Sequence, residues 1–88
     1  KGPMAHGHAS ECGTSVMMYL YPELVDHSEI TCVEAKPNTY PDIIQYSHFT
    51  EKTPNGTLGD ATAATPEKGK AIVNACVDRI MEYINSML

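Results

Sequence analysis

Residues 65–88 carry the strongest structural instruction in the chain. Thr65 is a helix-capping residue type, Pro66 suits the first helical position because its missing N–H is not needed there, and Glu67 complements the helix dipole. Ile72, Val73, Cys76, Val77, Ile80, Met81, Ile84 and Met87 then recur every three or four residues. That spacing predicts one broad apolar face on a helix of about six turns. Such a face needs an opposing apolar surface. In 88 residues the requirement is severe, because a chain this short buries only roughly 60–65% of the surface its unfolded form exposes. The chain is therefore expected to pack against another part of a larger protein, or against other copies of itself.

The rest of the chain offers thin cover for that helix. Residues 1–7 read as a loop, with Gly2-Pro3 and Gly7 as breakers. A first helix is predicted from Ser10 or Glu11 to the break at Pro22, carrying Val16, Met17, Tyr19 and Leu20, with the Ser10 hydroxyl as N-cap. Gly13 inside it costs about 1 kcal/mol relative to Ala, which suggests that another backbone comes close there. Residues 22–26 can add one short turn. Residues 30–33 and 43–46 are short strand candidates. The remainder of residues 36–65 is irregular, punctuated by Pro37, Pro41, Pro54, Asn55-Gly56 and Gly59. Loops of that length inside a compact unit are commonly functional.

Composition excludes some functions. With 42% apolar and 19% charged residues, this is not the make-up of a disordered chain. A net charge of −5 with scattered Lys and Arg argues against nucleic acid, whose phosphates call for a basic patch. No apolar run approaches the roughly 20 residues of a membrane span. The odd, widely spaced Cys12, Cys32 and Cys76 suggest free thiols in a reducing, cytoplasmic setting. No signal-peptide core precedes the first motif, although a chain starting at Lys1 need not start where its gene does.

His6, His8 and Glu11 fall within six positions. Imidazole and carboxylate suit Zn²⁺ or Mn²⁺, and a His and a Glu three apart at a helix start can converge on one point. Residue types alone do not separate that reading from a solvent-exposed His-x-His. His27 and His48 lie in polar loops and read as surface histidines. Thr14 and Ser15 are hydroxyls at a helix start, beside His8 but without a Gly-x-Ser-x-Gly elbow, and read as backbone-bonding groups. Cys12 near His8 has no supporting motif either. Asn55-Gly56 and Gly59-Asp60 read as turns, with Asp60 as a cap or turn acceptor.

Two segments together resemble the creatininase (creatinine amidohydrolase) family. His8-Ala-Ser-Glu11-Cys-Gly-Thr-Ser15, its apolar helix and Pro22-Glu-Leu-Val-Asp26 are similar to the family's His-Ala-Gly-Glu-x-Glu-Thr-Ser stretch, with its own apolar helix and Pro-Glu/Asp-Leu-Val-Asp run. Gly56-Thr-Leu-Gly-Asp60 and Ala64-Thr-Pro-Glu-Lys-Gly69 resemble the later motif that leads into the final helix. The resemblance spans residues 6–88. It implies an α/β fold, with this chain as the C-terminal part of an α/β/α sandwich: a loop over 1–7, an active-site segment and helix over 8–26, a strand and loop region over 27–64, and a helix over 65–88.

The resemblance also implies a metal-dependent hydrolase with two Zn²⁺ or Mn²⁺ ions, often a homo-hexamer. Its substrates would be small cyclic amides, formamides, a peptide precursor or a cyclic ketone, attacked at carbonyl by metal-activated water. By position, His8 matches the catalytic proton shuttle and Glu11 a metal ligand, while Thr14, Ser15 and Asp60 match supporting or substrate-contact positions. Two departures stand out. Gly13 replaces the second glutamate of the pattern, which disfavours creatinine itself as substrate. The family's N-terminal Glu, His and Asp ligands and its Asn-Gly-His motif are not in this sequence. The expectation is a fragment whose site is completed elsewhere; the alternative is a non-catalytic packing or oligomerisation piece.

Overall fold

A computed structural model describes residues 4–88; residues 1–3, at the head of the expected loop, lie outside the described residues. The framework is a pair of packed helices, α1 (Glu11–Leu20) and α2 (Pro66–Ser86). Between them in sequence run two short strands, β1 (Cys32–Val33) and β2 (Gly59–Asp60), paired antiparallel with Cys32 opposite Asp60 and Val33 opposite Gly59. Single 3₁₀ turns occupy Pro22–Leu24, His27–Glu29, Phe49–Glu51 and Ala61–Ala63. Helices with a small sheet make this an α/β fragment.

α2 starts as its sequence dictates. The Thr65 hydroxyl accepts a hydrogen bond from the Lys68 N–H at 3.2 Å, and Pro66 opens the helix. α1 also starts at Glu11 and ends ahead of Pro22, which begins the expected extra turn. The Ser10 hydroxyl is not its cap, however. It donates to the Met4 carbonyl at 2.8 Å, and Ser10 is 2% exposed. A hydroxyl sealed from water must find a partner, and the 4–7 turn supplies one closer than the helix end does.

The close approach expected at Gly13 belongs to Gly69 instead. A Cβ on Gly69 would sit 1.9 Å from the Ser15 carbonyl oxygen and 2.9 Å from the Tyr19 Cβ, so its absence lets the helices touch. A Cβ on Gly13 would meet nothing within 4 Å. The buried stripe of α1 is Glu11, Cys12, Ser15 and Met18, which turns position 13 away from α2.

Residues 43–46 form no strand. They lack a ladder partner, since β1 pairs with β2, and Ile44 and Tyr46 are largely exposed. Gly59-Asp60, expected as a plain turn, is itself β2. The core is small and partly polar: Ala5, Cys12, Met18 and Ala61 are buried beside Ser10, Glu11, Ser15, Thr53 and Thr57. The apolar face of α2 is present, and Val77, Ile80, Met81 and Ile84 on it are exposed, as is Met87 just past its end. Among the described residues no helix is long and apolar enough to cross a membrane.

Candidate functional site

The segment around His8 is built onto the turn at residues 53–57. The Thr53 hydroxyl donates to the Thr57 carbonyl at 2.5 Å, and the Asn55 side-chain oxygen accepts from the Thr57 N–H at 3.1 Å. The Asn55 amide donates to the Thr31 hydroxyl at 2.8 Å. Gly56, with φ +89°, supplies the left-handed position that such a turn needs. These bonds fix the Gly56 carbonyl. His8 is held against it by backbone pairing with Leu58, with N–H···O distances of 2.9 and 2.7 Å.

The His8 Nδ1 lies 2.6 Å from the Gly56 carbonyl oxygen. A carbonyl only accepts, so Nδ1 carries the proton, and in the neutral ring Nε2 carries the lone pair. Phe49 meets the imidazole edge-on at 4.8 Å between centroids. His8 opens onto a groove of about 480 Å³ that Gly13, Thr14, Met17, Leu24 and Ile30 also line. Nδ1 is thus oriented by backbone, and a ring fixed in this way can do general acid–base work through its other nitrogen.

Glu11 does not share that groove. It is 3% exposed and lies against α2, where its carboxylate pairs with the Lys68 ammonium at 3.1 Å. Lys68 also donates to the Ala63 carbonyl at 2.6 Å. A buried carboxylate is tolerated only when paired, which accounts for the lysine. Glu11 lines a separate cleft of about 210 Å³ with Cys12, Ser15, Lys68, Ala71 and Ile72. His8 and Glu11, three positions apart, thus line different clefts. Ala9, between them, has φ +47°, a left-handed turn that sends the chain in a new direction before α1 begins.

The remaining candidates have defined places. The Thr14 hydroxyl donates to the Ala9 carbonyl at 3.1 Å on the groove wall. Ser15 is fully buried, donating to the Glu11 carbonyl at 2.5 Å and accepting from the Thr65 N–H at 3.1 Å. Asp60 caps the Ala61–Ala63 turn, accepting from the Thr62 N–H at 3.0 Å and from the Thr62 hydroxyl. The Thr62 side-chain bond holds its carboxyl below the ordinary 3.8. Desolvation, followed by the neighbouring Asp60 charge, holds the Cys32 thiol above its ordinary 9.0. Cys12, Cys32 and Cys76 are free thiols.

Sequence reasoning missed Lys68 as the partner of Glu11, and the Gly56 carbonyl and Phe49 as the setting of His8. The Asn55-Gly56 pair announces the turn, but nothing local says which ring it meets 48 positions away. Among the described residues no three His, Cys, Asp or Glu side chains come together as a metal-holding group. With Glu11 engaged by Lys68, the described residues do not by themselves fit a metal centre.

Comparison with known proteins agrees with the motifs that frame this site. The family model Creatininase, described as creatinine amidohydrolase, matches residues 1–84. The chain is 39% identical over 80 residues to the creatinine amidohydrolase of Pseudomonas putida, an alignment covering 90% of this chain and 29% of that protein. It is 32% identical over 87 residues to the mycofactocin precursor peptide peptidase of Mycolicibacterium smegmatis, covering 92% of this chain and 35% of that one. The chain thus spans roughly a third of the length of these curated relatives. No solved structure matches. A match over nearly the whole chain, running through both motifs and into α2, means that the chain belongs to the creatininase family.

Proposed function

We propose that residues 1–88 are the C-terminal part of a single creatininase-like domain, and that the complete protein is a metal-dependent hydrolase in which His8 moves the proton. Its α/β/α sandwich is completed by polypeptide outside this chain, and the exposed apolar face of α2 supports that. The observation that carries the reading is the His8 imidazole, fixed through Nδ1 on the Gly56 carbonyl and opening onto the 480 Å³ groove. Its Nε2 accepts a proton from the incoming water and returns it to the leaving group, two transfers for which a neutral imidazole is suited. Thr14 supports the groove wall as a substrate-contact candidate. Ser15 and Asp60 hold the elements around it.

Glu11 is assigned as one ligand of a Zn²⁺ or Mn²⁺ centre, two ions in the complete site. The other ligands would come from outside the described residues, and the centre would supply a Lewis acid that activates water and polarises the carbonyl. The substrate class is a small cyclic amide, a formamide or a cyclic ketone. Of the two relatives, one is named for creatinine and the other for a precursor peptide. A cytoplasmic homo-oligomer is the proposed setting, with free thiols in support.

The test uses the intact protein. Glu11→Gln reduces bound Zn or Mn, measured by elemental analysis, whereas His8→Ala lowers turnover and keeps the metal. Normal turnover in both variants contradicts the assignment. The second reading, a packing or oligomerisation piece without catalysis, is favoured by the same exposed α2 face; tightly bound metal in the intact protein, lost in Glu11→Gln, excludes it.

A further inference from the structure

Gly13 occupies a place in α1 that neither backbone nor packing reserves for glycine. Its φ is not in the left-handed region that Gly56 and Gly59 adopt, and a Cβ there meets nothing within 4 Å. A glycine inside a helix is a net liability to stability, so the gain must lie in the space it leaves. Gly13 and Met17, four apart on α1, line the groove onto which His8 opens, and Ala9 lines it just ahead of the helix. Of these three, Ala9 and Gly13 are the small ones. They present little or no side chain, so the wall beside His8 is recessed, and Met17 adds an apolar side chain to it.

The rest of the lining adds a charge rule. Leu24, Val25 and Ile30 are apolar, while Asp26 and Glu29 bring carboxylates; no Lys or Arg lines the groove among the described residues. Asp26 stays ionised, because the Ser28 hydroxyl and N–H hydrogen bonds hold its carboxyl below 3.8. A carboxylate-bearing ligand is repelled there. A volume of about 480 Å³ falls in the range of cavities that enclose ligands well beyond a minimal amide.

We propose that Gly13 is a specificity-determining residue: the bare helix surface beside His8 admits amides carrying an apolar side group and no negative charge. The proposal rests on the assignment of His8 to the reacting centre. Calorimetric titration of the intact protein with acetamide, N-acetyl-leucinamide and N-acetyl-leucine tests it. N-acetyl-leucinamide binds about tenfold or more tighter than acetamide, the worth of burying a leucine-sized group, and N-acetyl-leucine binds more weakly than its amide. Gly13→Gln and Gly13→Glu both erase the advantage over acetamide by filling the recess, and Gly13→Ala keeps most of it. Circular dichroism reports that the variants stay helical. An advantage that survives Gly13→Gln, or is missing from the parent protein, overturns the proposal. The failures separate: the leucinamide preference without hydrolysis of any amide sinks the hydrolase reading alone, and His8-dependent turnover without the preference sinks the role of Gly13 alone.

Discussion

The Ser15 hydroxyl accepts a hydrogen bond from the backbone N–H of Thr65 at 3.1 Å, across 50 positions of chain, while donating to the Glu11 carbonyl at 2.5 Å. One fully buried oxygen thus ties α1 to the residue that caps α2. Ser15→Ala leaves the half-buried Thr65 N–H without this partner, and should lower stability by about 0.5–1.5 kcal/mol. Chemical denaturation reads this directly. A variant as stable as the parent would mean that the bond adds nothing to the helix pair.

The glycines of the two helices should answer oppositely to the same substitution. Gly69→Ala drives a methyl group into the Ser15 carbonyl and should destabilise by about 1–3 kcal/mol, despite the better helix propensity of alanine. Gly13→Ala meets open space and should stabilise by about 0.5–1 kcal/mol. Thermal unfolding of both variants gives the signs.

Those two positions also show what can be read locally and what cannot. The start of α2 was legible, because Thr65 caps a helix three residues away and Pro66 needs no donor. The end of α1 was legible because Pro22 cannot continue a helix. The role of Ser10 was not, since its hydroxyl answers to Met4, a partner set by how the leading turn folds back. Which glycine sits between helices depends on which face of α1 meets α2, a tertiary fact. Residues 43–46 look like a strand by composition, but a strand needs a ladder, and β1 takes β2. His8 and Glu11 were recognisable as chemistry-bearing residues from type and motif. Their settings, the Gly56 carbonyl and Lys68, are made by contacts far apart in sequence.

Lys68→Met tests the pairing that keeps Glu11 buried. It removes the ammonium from beside a residue that is 3% exposed, and breaking a fully buried pair costs about 3–5 kcal/mol. The ammonium side chain is 46% exposed, so water already screens part of the attraction and a loss of about 1–2 kcal/mol is expected. Adding Glu11→Gln should recover much of the loss, because the buried charge is then gone. A double-mutant cycle in denaturant measures the coupling.

The Asp60 carboxyl should titrate below 3.8, and Thr62→Val should move its midpoint upward by removing the side-chain bond. The folded value is depressed, so the stabilisation is fully present above the unfolded carboxylate value. It is lost as pH falls through the folded one, below 3.8. Carbon-detected NMR titration of the carboxyl reads the midpoint. A midpoint unchanged in Thr62→Val would remove Thr62 as the cause.

The central claim is that His8, held by Gly56 through Nδ1, moves the proton in a hydrolytic reaction. The most direct measurement is turnover of the intact protein and its His8→Ala variant on amide and formamide substrates, with metal content determined alongside. The account predicts a fall in kcat of about 10²–10⁴-fold with metal retained and helical content unchanged. Undiminished kcat in His8→Ala would contradict it.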